Sequence, residues 1–147
     1  MDDKEEKQKD TEKQKDLQQR YMEMQYMQQH LTEYQKQLEM IDTQIEDCNL
    51  ILEGLDDISK KKSGEDMLVP ISNGIFAKAK LDDNSSLVVN VGSNIAVEKN
   101  VDGAKELIRK QQSEMVKTRI QMKEVINSIT EQMQAVEKDL AEVMQGT

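Results

Sequence analysis

Few residues in this sequence have the chemistry that catalysis or metal binding requires. His30 is the only histidine and Cys48 the only cysteine. His30 falls on the predicted surface of a long helix, whereas Cys48 falls on its predicted buried side, where a small apolar residue packs well. The carboxylates are spread along solvent-facing positions, and no phosphate loop, dinucleotide fingerprint or zinc spacing is present. The sequence therefore predicts a protein that is not an enzyme and that needs no cofactor or metal.

Methionine is the more informative residue type, with ten in the chain. Several fall where two predicted helices meet, but others gather with tyrosines near the first helix's start and the second helix's end. Exposed methionine is flexible and polarizable, which suits surfaces that accept varied apolar partners. Scattered surface hydrophobes without a role remain the alternative interpretation. The candidate binding residues at these helix ends are Leu17, Tyr21, Met22, Tyr26, Leu140, Val143 and Met144.

Composition limits the fold and the partners. The chain of 147 residues is 36% hydrophobic, 33% charged and 3% aromatic, which is too little apolar material for an ordinary globular core but enough for a two-helix seam. A net charge of −9 argues against nucleic acid, because a polyanion would be repelled. The basic run Lys60-Lys61-Lys62 sits among carboxylates and is interpreted as a solvated loop.

The membrane is also excluded as a partner by the sequence pattern. No apolar run approaches the ~18 residues typical of a membrane span, and the charged start is unlike a signal peptide. A single cysteine agrees with a reducing compartment. We therefore expect a soluble, cytoplasmic protein.

Two long helices are predicted from heptad patterns. In the first helix, over residues 17–58, eleven of twelve seam positions are apolar, with Arg20 the exception. In the second, over residues 101–145, one series is apolar throughout and its companion is polar in its first half. In the first helix, one series of seam positions is Leu17, Met24, Leu31, Leu38, Ile45 and Leu52. Its companion series is Arg20, Met27, Tyr34, Ile41, Cys48 and Leu55. In the second helix, the apolar series is Ile108, Met115, Met122, Ile129, Val136 and Val143. Its companion series is Lys105, Gln112, Arg119, Ile126, Met133 and Leu140.

The matching layer counts predict an antiparallel helical hairpin. Its register pairs Leu17 with Val143 and places Lys105 opposite Leu55. Residues 1–16 then have no partner, and we expect them to form a charged, flexible tail.

A strand-forming segment interrupts the helices over residues 67–99, and it contains the stretch LVPISNGIFAKAKLDDNSSLVVNVGSNIAVEK from Leu68 to Lys99. Asn73-Gly74 and Gly92-Ser93-Asn94 are turn signals, and the flanking residues alternate as in half-buried strands. Two β-hairpins are predicted. Because such small sheets are marginal alone, we expect strands from several subunits to close a β-barrel. The residues predicted to mediate this assembly are Ile75, Ala77, Leu87, Val89, Val91, Ile95 and Val97.

The order of these elements resembles the α-type subunits of the prefoldin family. The resemblance rests on the strand block, with LVPI, NGIFAKAKL and above all VNVGSNIAVEK, placed between two helical arms. It implies a hexamer of two α-type and four β-type subunits joined through a double β-barrel. It further implies an ATP-independent holdase that captures unfolded polypeptides at coiled-coil tips and delivers them to a group II chaperonin.

Two alternatives remain open from the sequence. One is a homo-oligomeric or filament-forming relative, which would share the strand segment. The other is a structural coiled-coil tether, which would have no need of it.

Overall fold

The computed structural model describes residues 2–146. Helix α1 spans Asp2–Lys60 and helix α2 spans Val101–Gln145. Between them lie β1 (Asp66–Ser72), β2 (Ile75–Lys80), β3 (Leu87–Asn90) and β4 (Ala96–Lys99), in the order given by the chain. The predicted fold class, a two-helix coiled coil with two β-hairpins, is confirmed. The chain divides into two compact units, Met1–Ile41 with Thr118–Thr147 and Asp42–Lys117.

In the first unit, the residues at the heptad positions of both helices are less exposed to solvent than most residues between them. On α1 they are half-buried at every predicted position from Leu17 to Ile41, while most residues between them are exposed. On α2 the same holds from Arg119 to Val143, and Leu140 is only 7% exposed. An ion pair between Arg20 and Asp139, at 3.3 Å, joins the two helices near the position that the antiparallel register assigns to them. The one polar α1 seam position therefore has charged partners.

Residues 2–16 differ from the sequence expectation. The sequence predicts a flexible tail before Leu17, but α1 begins at Asp2 and these residues are helical and exposed throughout. The segment lacks Gly and Pro and is rich in Glu, Lys and Gln, which favour helix without any apolar face. Asp2, Asp3 and Glu5 lie in the first turn, where negative charge stabilises a helix. Heptad periodicity indicates where a helix buries apolar residues. It therefore cannot predict a helical segment whose side chains are all exposed.

The helices of the second unit carry polar groups at several seam positions. Lys105 forms an ion pair and a hydrogen bond with Asp56. The Gln112 amide donates to the Ile45 carbonyl oxygen at 3.1 Å and to Asn49 Oδ1 at 2.8 Å. Cys48 and Ala104 are 5% and 3% exposed, so two small residues form the buried core here. Lys105 and Gln112, the first two polar residues of the α2 companion series, are thus paired with polar groups of α1.

The first hairpin pairs β1 and β2 antiparallel around an Asn73-Gly74 turn. Gly74 has a φ of 79°, which is the left-handed conformation that glycine adopts without strain. The register shifts between Pro70 and Ser72, where a β-bulge bends the strand. Along the rest of the hairpin, Met67, Ala77 and Ala79 are half-buried and the opposite side is exposed.

The second hairpin pairs β3 and β4 antiparallel, with Val89 opposite Val97. Ser93 and Asn94 both have positive φ, 51° and 60°, and the Ile95 N–H donates to the Gly92 carbonyl oxygen at 2.9 Å. This is the two-residue turn whose twist matches that of paired strands. Each hairpin is a separate two-stranded sheet.

A loop over residues 81–86 attaches the first hairpin to the end of α1. The Asn84 amide donates to the carbonyl oxygens of Ile58, Ser59 and Lys61, at 3.4, 3.3 and 2.7 Å. The last carbonyl groups of a helix have no partners within the helix, so this amide caps α1. At the other side of the strand segment, Asn100 Oδ1 accepts from the Gly103 N–H at 2.8 Å and caps the start of α2.

Candidate functional site

The first unit exposes a cluster of large apolar side chains on α1, between Tyr21 and Tyr26, and near the end of α2. We call this cluster the terminal patch. Its members are between 51% and 69% exposed, and they are Tyr21, Met22, Tyr26 and Met144. The Tyr21 hydroxyl donates to Met144 Sδ at 4.0 Å, which shows that the two helix segments meet here.

The other three candidates at these helix ends lie deeper. Leu17 and Val143 are half-buried, and Leu140 is among the most buried side chains of the described chain. They form the seam beneath the terminal patch. A ligand can therefore reach the four patch residues directly, whereas it reaches Leu140 only if the helices separate.

His30 packs beside the terminal patch, next to two tyrosine rings. Its ring lies 4.3 Å from the Tyr26 ring in an edge-on arrangement and 6.4 Å from the Tyr34 ring. The sequence predicts that His30 lies on the helix surface, but its side chain is half-buried between these rings. The spacing of four residues between successive rings puts all three on one side of α1. The His30 and Tyr34 rings therefore follow the Tyr26 ring along the same side of α1.

The hairpins expose a second apolar group, which differs in residue type. We call it the hairpin apolar set. It contains Leu68, Val69, Ile71, Ile75, Phe76, Val88, Val91 and Ile95, each between 40% and 73% exposed. Several large exposed apolar side chains on one small segment are typical of protein interfaces.

The seven predicted assembly residues differ in their exposure. Ile75, Val91 and Ile95 are exposed members of the hairpin apolar set. Ala77, Leu87, Val89 and Val97 are half-buried within the chain. The sequence analysis did not include five members of the hairpin apolar set, which are Leu68, Val69, Ile71, Phe76 and Val88. Their residue type was the available signal, since Phe76 and Val88 are large apolar residues at strand positions that alternate with the predicted ones.

Two carboxyl groups of the described residues have shifted pKa values. The pKa of the Asp56 carboxyl is lowered, first by its hydrogen bond from Lys105 and then by the charge of that ammonium group. Hydrogen bonds from the Ser85 hydroxyl and N–H lower the pKa of the Asp83 carboxyl. A general acid or base at neutral pH needs a carboxyl pKa that is raised instead. Both groups are exposed carboxylates with structural partners.

Two further kinds of site are absent from residues 2–146. No three His, Cys, Asp or Glu side chains within this range are grouped so as to hold a metal ion. Neither helix, over the same range, has an apolar stretch long enough to cross a membrane. What the described chain does present is exposed apolar surface, at the terminal patch and on the hairpins.

Comparison with known proteins identifies the family. The family model described as "Prefoldin subunit" matches residues 27–146. The chain is 34% identical to the prefoldin subunit alpha of Methanobrevibacter smithii over 119 residues, covering 76% of this chain and 78% of that protein. It is 27% identical to the same subunit of Thermofilum pendens, covering 74% and 84%. It is 25% identical to that of Methanococcus aeolicus, covering 89% of each chain.

A solved structure has the same fold. The filamentous PFD from Methanocaldococcus jannaschii, determined by cryo-EM, superposes with a TM-score of 0.73 at 17% identity, covering 81% of this chain and 98% of that one. At this identity the likeness concerns the fold alone. Prefoldins are chaperones, and the names of the curated relatives mark them as subunits of a larger assembly. Together with the match over residues 27–146, these findings show that the chain belongs to the prefoldin family.

Proposed function

We propose that this chain is the α-type subunit of a cytoplasmic prefoldin hexamer that holds unfolded polypeptides without ATP and delivers them to a group II chaperonin. The hexamer contains two copies of this chain and four β-type subunits. The observation that carries the proposal is the terminal patch, where four large apolar side chains from α1 and α2 stand more than half exposed. Its support is the family membership and the relatives named prefoldin subunit alpha.

The physics of the terminal patch suits weak and broad binding. Each apolar side chain that a client buries fully contributes up to about 1.5–3 kcal/mol. One patch therefore binds an unfolded chain weakly. Several patches on one assembly raise the apparent affinity by roughly 10²–10⁴ when they engage the same client together. Capture then depends on the number of subunits and is indifferent to nucleotide.

The hairpins supply the means of assembly. Each is a two-stranded sheet, which is marginal alone, and the hairpin apolar set is uncovered in the single chain. Strands from β-type subunits that pair with these edges would cover the apolar side chains and close a barrel. The proposal assigns to this contact both the predicted residues Ile75, Val91 and Ile95 and the additional residues Leu68, Ile71, Phe76 and Val88.

The test of client capture replaces the terminal patch. Tyr21, Met22, Tyr26 and Met144 are changed together to Ser, which leaves the buried Leu140 and the half-buried Val143 in place. We expect the hexamer to keep its mass but to lose suppression of aggregation of an unfolded protein. A matched control changes Met40, Ile120 and Val125 to Ser, because these are exposed apolar residues of the same unit, 63%, 53% and 38% exposed, outside the patch.

Two results would count against the capture site. One is full suppression by the patch variant, and the other is an equal loss in the control variant. Delivery is tested separately with a fluorescent client already bound to the hexamer. The client should leave faster as group II chaperonin is added without nucleotide, and a release rate independent of chaperonin would contradict the delivery step.

A further inference from the structure

The terminal patch is flanked on α1 by amide side chains. Residues three and four apart are neighbours on a helix surface, with about 5–6 Å between their Cβ atoms. Three of the four such neighbours of Met22 are glutamines, and the fourth is Tyr26 of the patch itself. A further glutamine follows three residues after Tyr26. We call these four exposed residues the glutamine rim, and they are Gln18, Gln19, Gln25 and Gln29.

Charge is nearly absent from this part of α1. Only Arg20 and Glu23 are charged among the twelve residues over 18–29, whereas twelve of the fifteen residues over 2–16 are charged. Arg20 is itself paired with carboxylates. Gln, Glu and Lys favour helix to a similar degree, so helix formation does not account for the change from charged to amide side chains. The change therefore concerns the surface that α1 presents around the terminal patch.

An exposed apolar residue in the second unit has a different surround. Leu50 is 64% exposed, which is close to the exposure of Met22 and Tyr26. Its neighbours three and four residues away on α1 are Glu46, Asp47, Glu53 and Gly54. A carboxylate only accepts hydrogen bonds and carries charge, whereas a glutamine amide has an acceptor oxygen and two donor hydrogens without charge. Glutamines are therefore not the general surround of exposed apolar residues on this helix.

An unfolded polypeptide brings backbone groups as well as side chains to the terminal patch. Where its apolar side chains are buried against Met22 and Tyr26, the adjoining N–H and C=O groups lose contact with water. Leaving one such group unpaired weakens binding by roughly fivefold or more. Because a glutamine amide both donates and accepts, it can pair with either backbone group, whatever the direction of the bound chain. Because it is neutral, it does so for clients of either charge.

We infer that the glutamine rim hydrogen-bonds the backbone of the unfolded polypeptide held at the terminal patch. This inference rests on the proposed function and adds to it the class of segment that is captured, which is an extended apolar segment with unpaired peptide groups. A folded protein pairs most of those groups within its own helices and sheets. The glutamine rim therefore selects unfolded segments over equally apolar folded surfaces, through a feature that every client sequence shares.

The test compares a client peptide with its backbone analogue. The peptide alternates Leu and Ser and carries a photoreactive group, and the analogue has an ester in place of every second peptide bond, which removes N–H donors but keeps the side chains. Each is irradiated with the assembled hexamer over a range of concentrations. Mass spectrometry measures attachment to this chain separately from attachment to the β-type subunits. The parent chain should bind the peptide roughly threefold to tenfold more tightly than the ester, which is the net worth of about one hydrogen bond.

Two variants of the chain separate the glutamine rim from glutamine content in general. Changing all four rim residues to Ala should weaken binding of the peptide by roughly the same factor and remove its advantage over the ester. Ala favours helix, so helix content from circular dichroism should be unchanged. The control variant carries the same change at four exposed glutamines outside the rim and should behave as the parent. These control positions are Gln35, Gln37, Gln44 and Gln121.

Three outcomes would overturn the inference. They are a parent chain that binds peptide and ester equally, a rim variant that keeps the preference for the peptide, and a control variant that loses as much as the rim variant. Each of them is compatible with capture at the terminal patch, so each contradicts the inference alone. Capture that persists after the patch residues are changed to Ser would contradict the proposed function and the inference with it, so the two failures are distinguishable.

Discussion

The two exposed apolar regions of this chain are built from different side chains. The terminal patch consists of two tyrosines and two methionines on helices, whereas the hairpin apolar set consists mostly of Val, Ile and Leu on strands. Methionine has three rotatable bonds and adapts its shape to a neighbour, while β-branched side chains are stiff at χ1. A stiff surface suits one partner of fixed shape, and an adaptable surface suits many. The difference supports the proposed division of the chain into an assembly surface on the hairpins and a client surface at the terminal patch.

The largest effect should follow from placing charge on the hairpins. Val88→Lys combined with Val91→Lys puts two cations into the proposed subunit interface, and an uncompensated buried charge costs about 3–5 kcal/mol. Lys at position 88 faces Glu98 across the hairpin, so the hairpin itself should persist. We expect loss of the hexamer in native mass spectrometry with helix content unchanged.

The control for this change is Val116→Lys, at an exposed apolar position of α2. It should leave the hexamer intact. A hexamer that survives the double hairpin change would show that these strand residues lie outside the subunit contact.

A second test concerns the seam beneath the terminal patch. Leu140 is 7% exposed, and removing a buried leucine side chain lowers the free energy of unfolding by about 2–5 kcal/mol. Because a two-helix seam has room to collapse, Leu140→Ala should fall at the low end of this range. Hydrogen exchange should rise in the last turns of α2 while the hexamer mass stays the same. Met22→Ala, at a 69% exposed position, should change stability by less than about 0.5 kcal/mol.

The comparison is sharpened by exchanging side-chain stiffness without removing apolar area. Met22→Ile with Met144→Ile keeps the terminal patch hydrophobic but makes it rigid. We expect suppression to fall several-fold for some clients and little for others, so that the spread between clients widens. Uniform activity across a panel of five or more unfolded proteins would show that adaptability is unimportant.

The smallest expected effect is on pH dependence in the second unit. The folded-state pKa of Asp56 lies below the unfolded value of about 3.9, so its contribution to stability is present above that pH and is lost as pH falls through the folded pKa. Asp56→Asn removes this contribution. The difference in thermal midpoint between parent and variant should therefore be small and constant near neutral pH and should shrink below about pH 4. A difference that grows on acidification would contradict the assigned direction.

Periodicity in the sequence is sufficient for the coiled-coil part of the fold. Every residue at a predicted heptad position is half-buried or buried on both helices, because burial on one side of a helix requires apolar residues at that spacing. The turns at Asn73-Gly74 and Ser93-Asn94 were equally readable, since positive φ restricts the residue type. The helical segment over residues 2–16 could not be predicted from periodicity, because its stability comes from helix propensity and from the acidic residues in its first turn.

The candidate sites were only partly readable. Exposure of Tyr21, Met22, Tyr26 and Met144 follows from their positions off the heptad seam, and the structure brings α1 and α2 together at this patch. The hairpins were harder, because both sides of each strand carry apolar residues and period-two alternation does not say which side the same chain covers. Val88 illustrates the difficulty, since it is 73% exposed although both its strand neighbours are half-buried. In the proposed assembly, another subunit would cover such residues.

The most direct test of the division between assembly and capture is site-specific photo-crosslinking in the assembled complex. A photoreactive residue is placed singly at positions 22, 144, 71 and 88, and an unfolded client is added before irradiation. Mass spectrometry of the products should find client attached at positions 22 and 144 and another subunit attached at positions 71 and 88. Client attached mainly at 71 and 88, or a subunit attached at 22 and 144, would contradict the account.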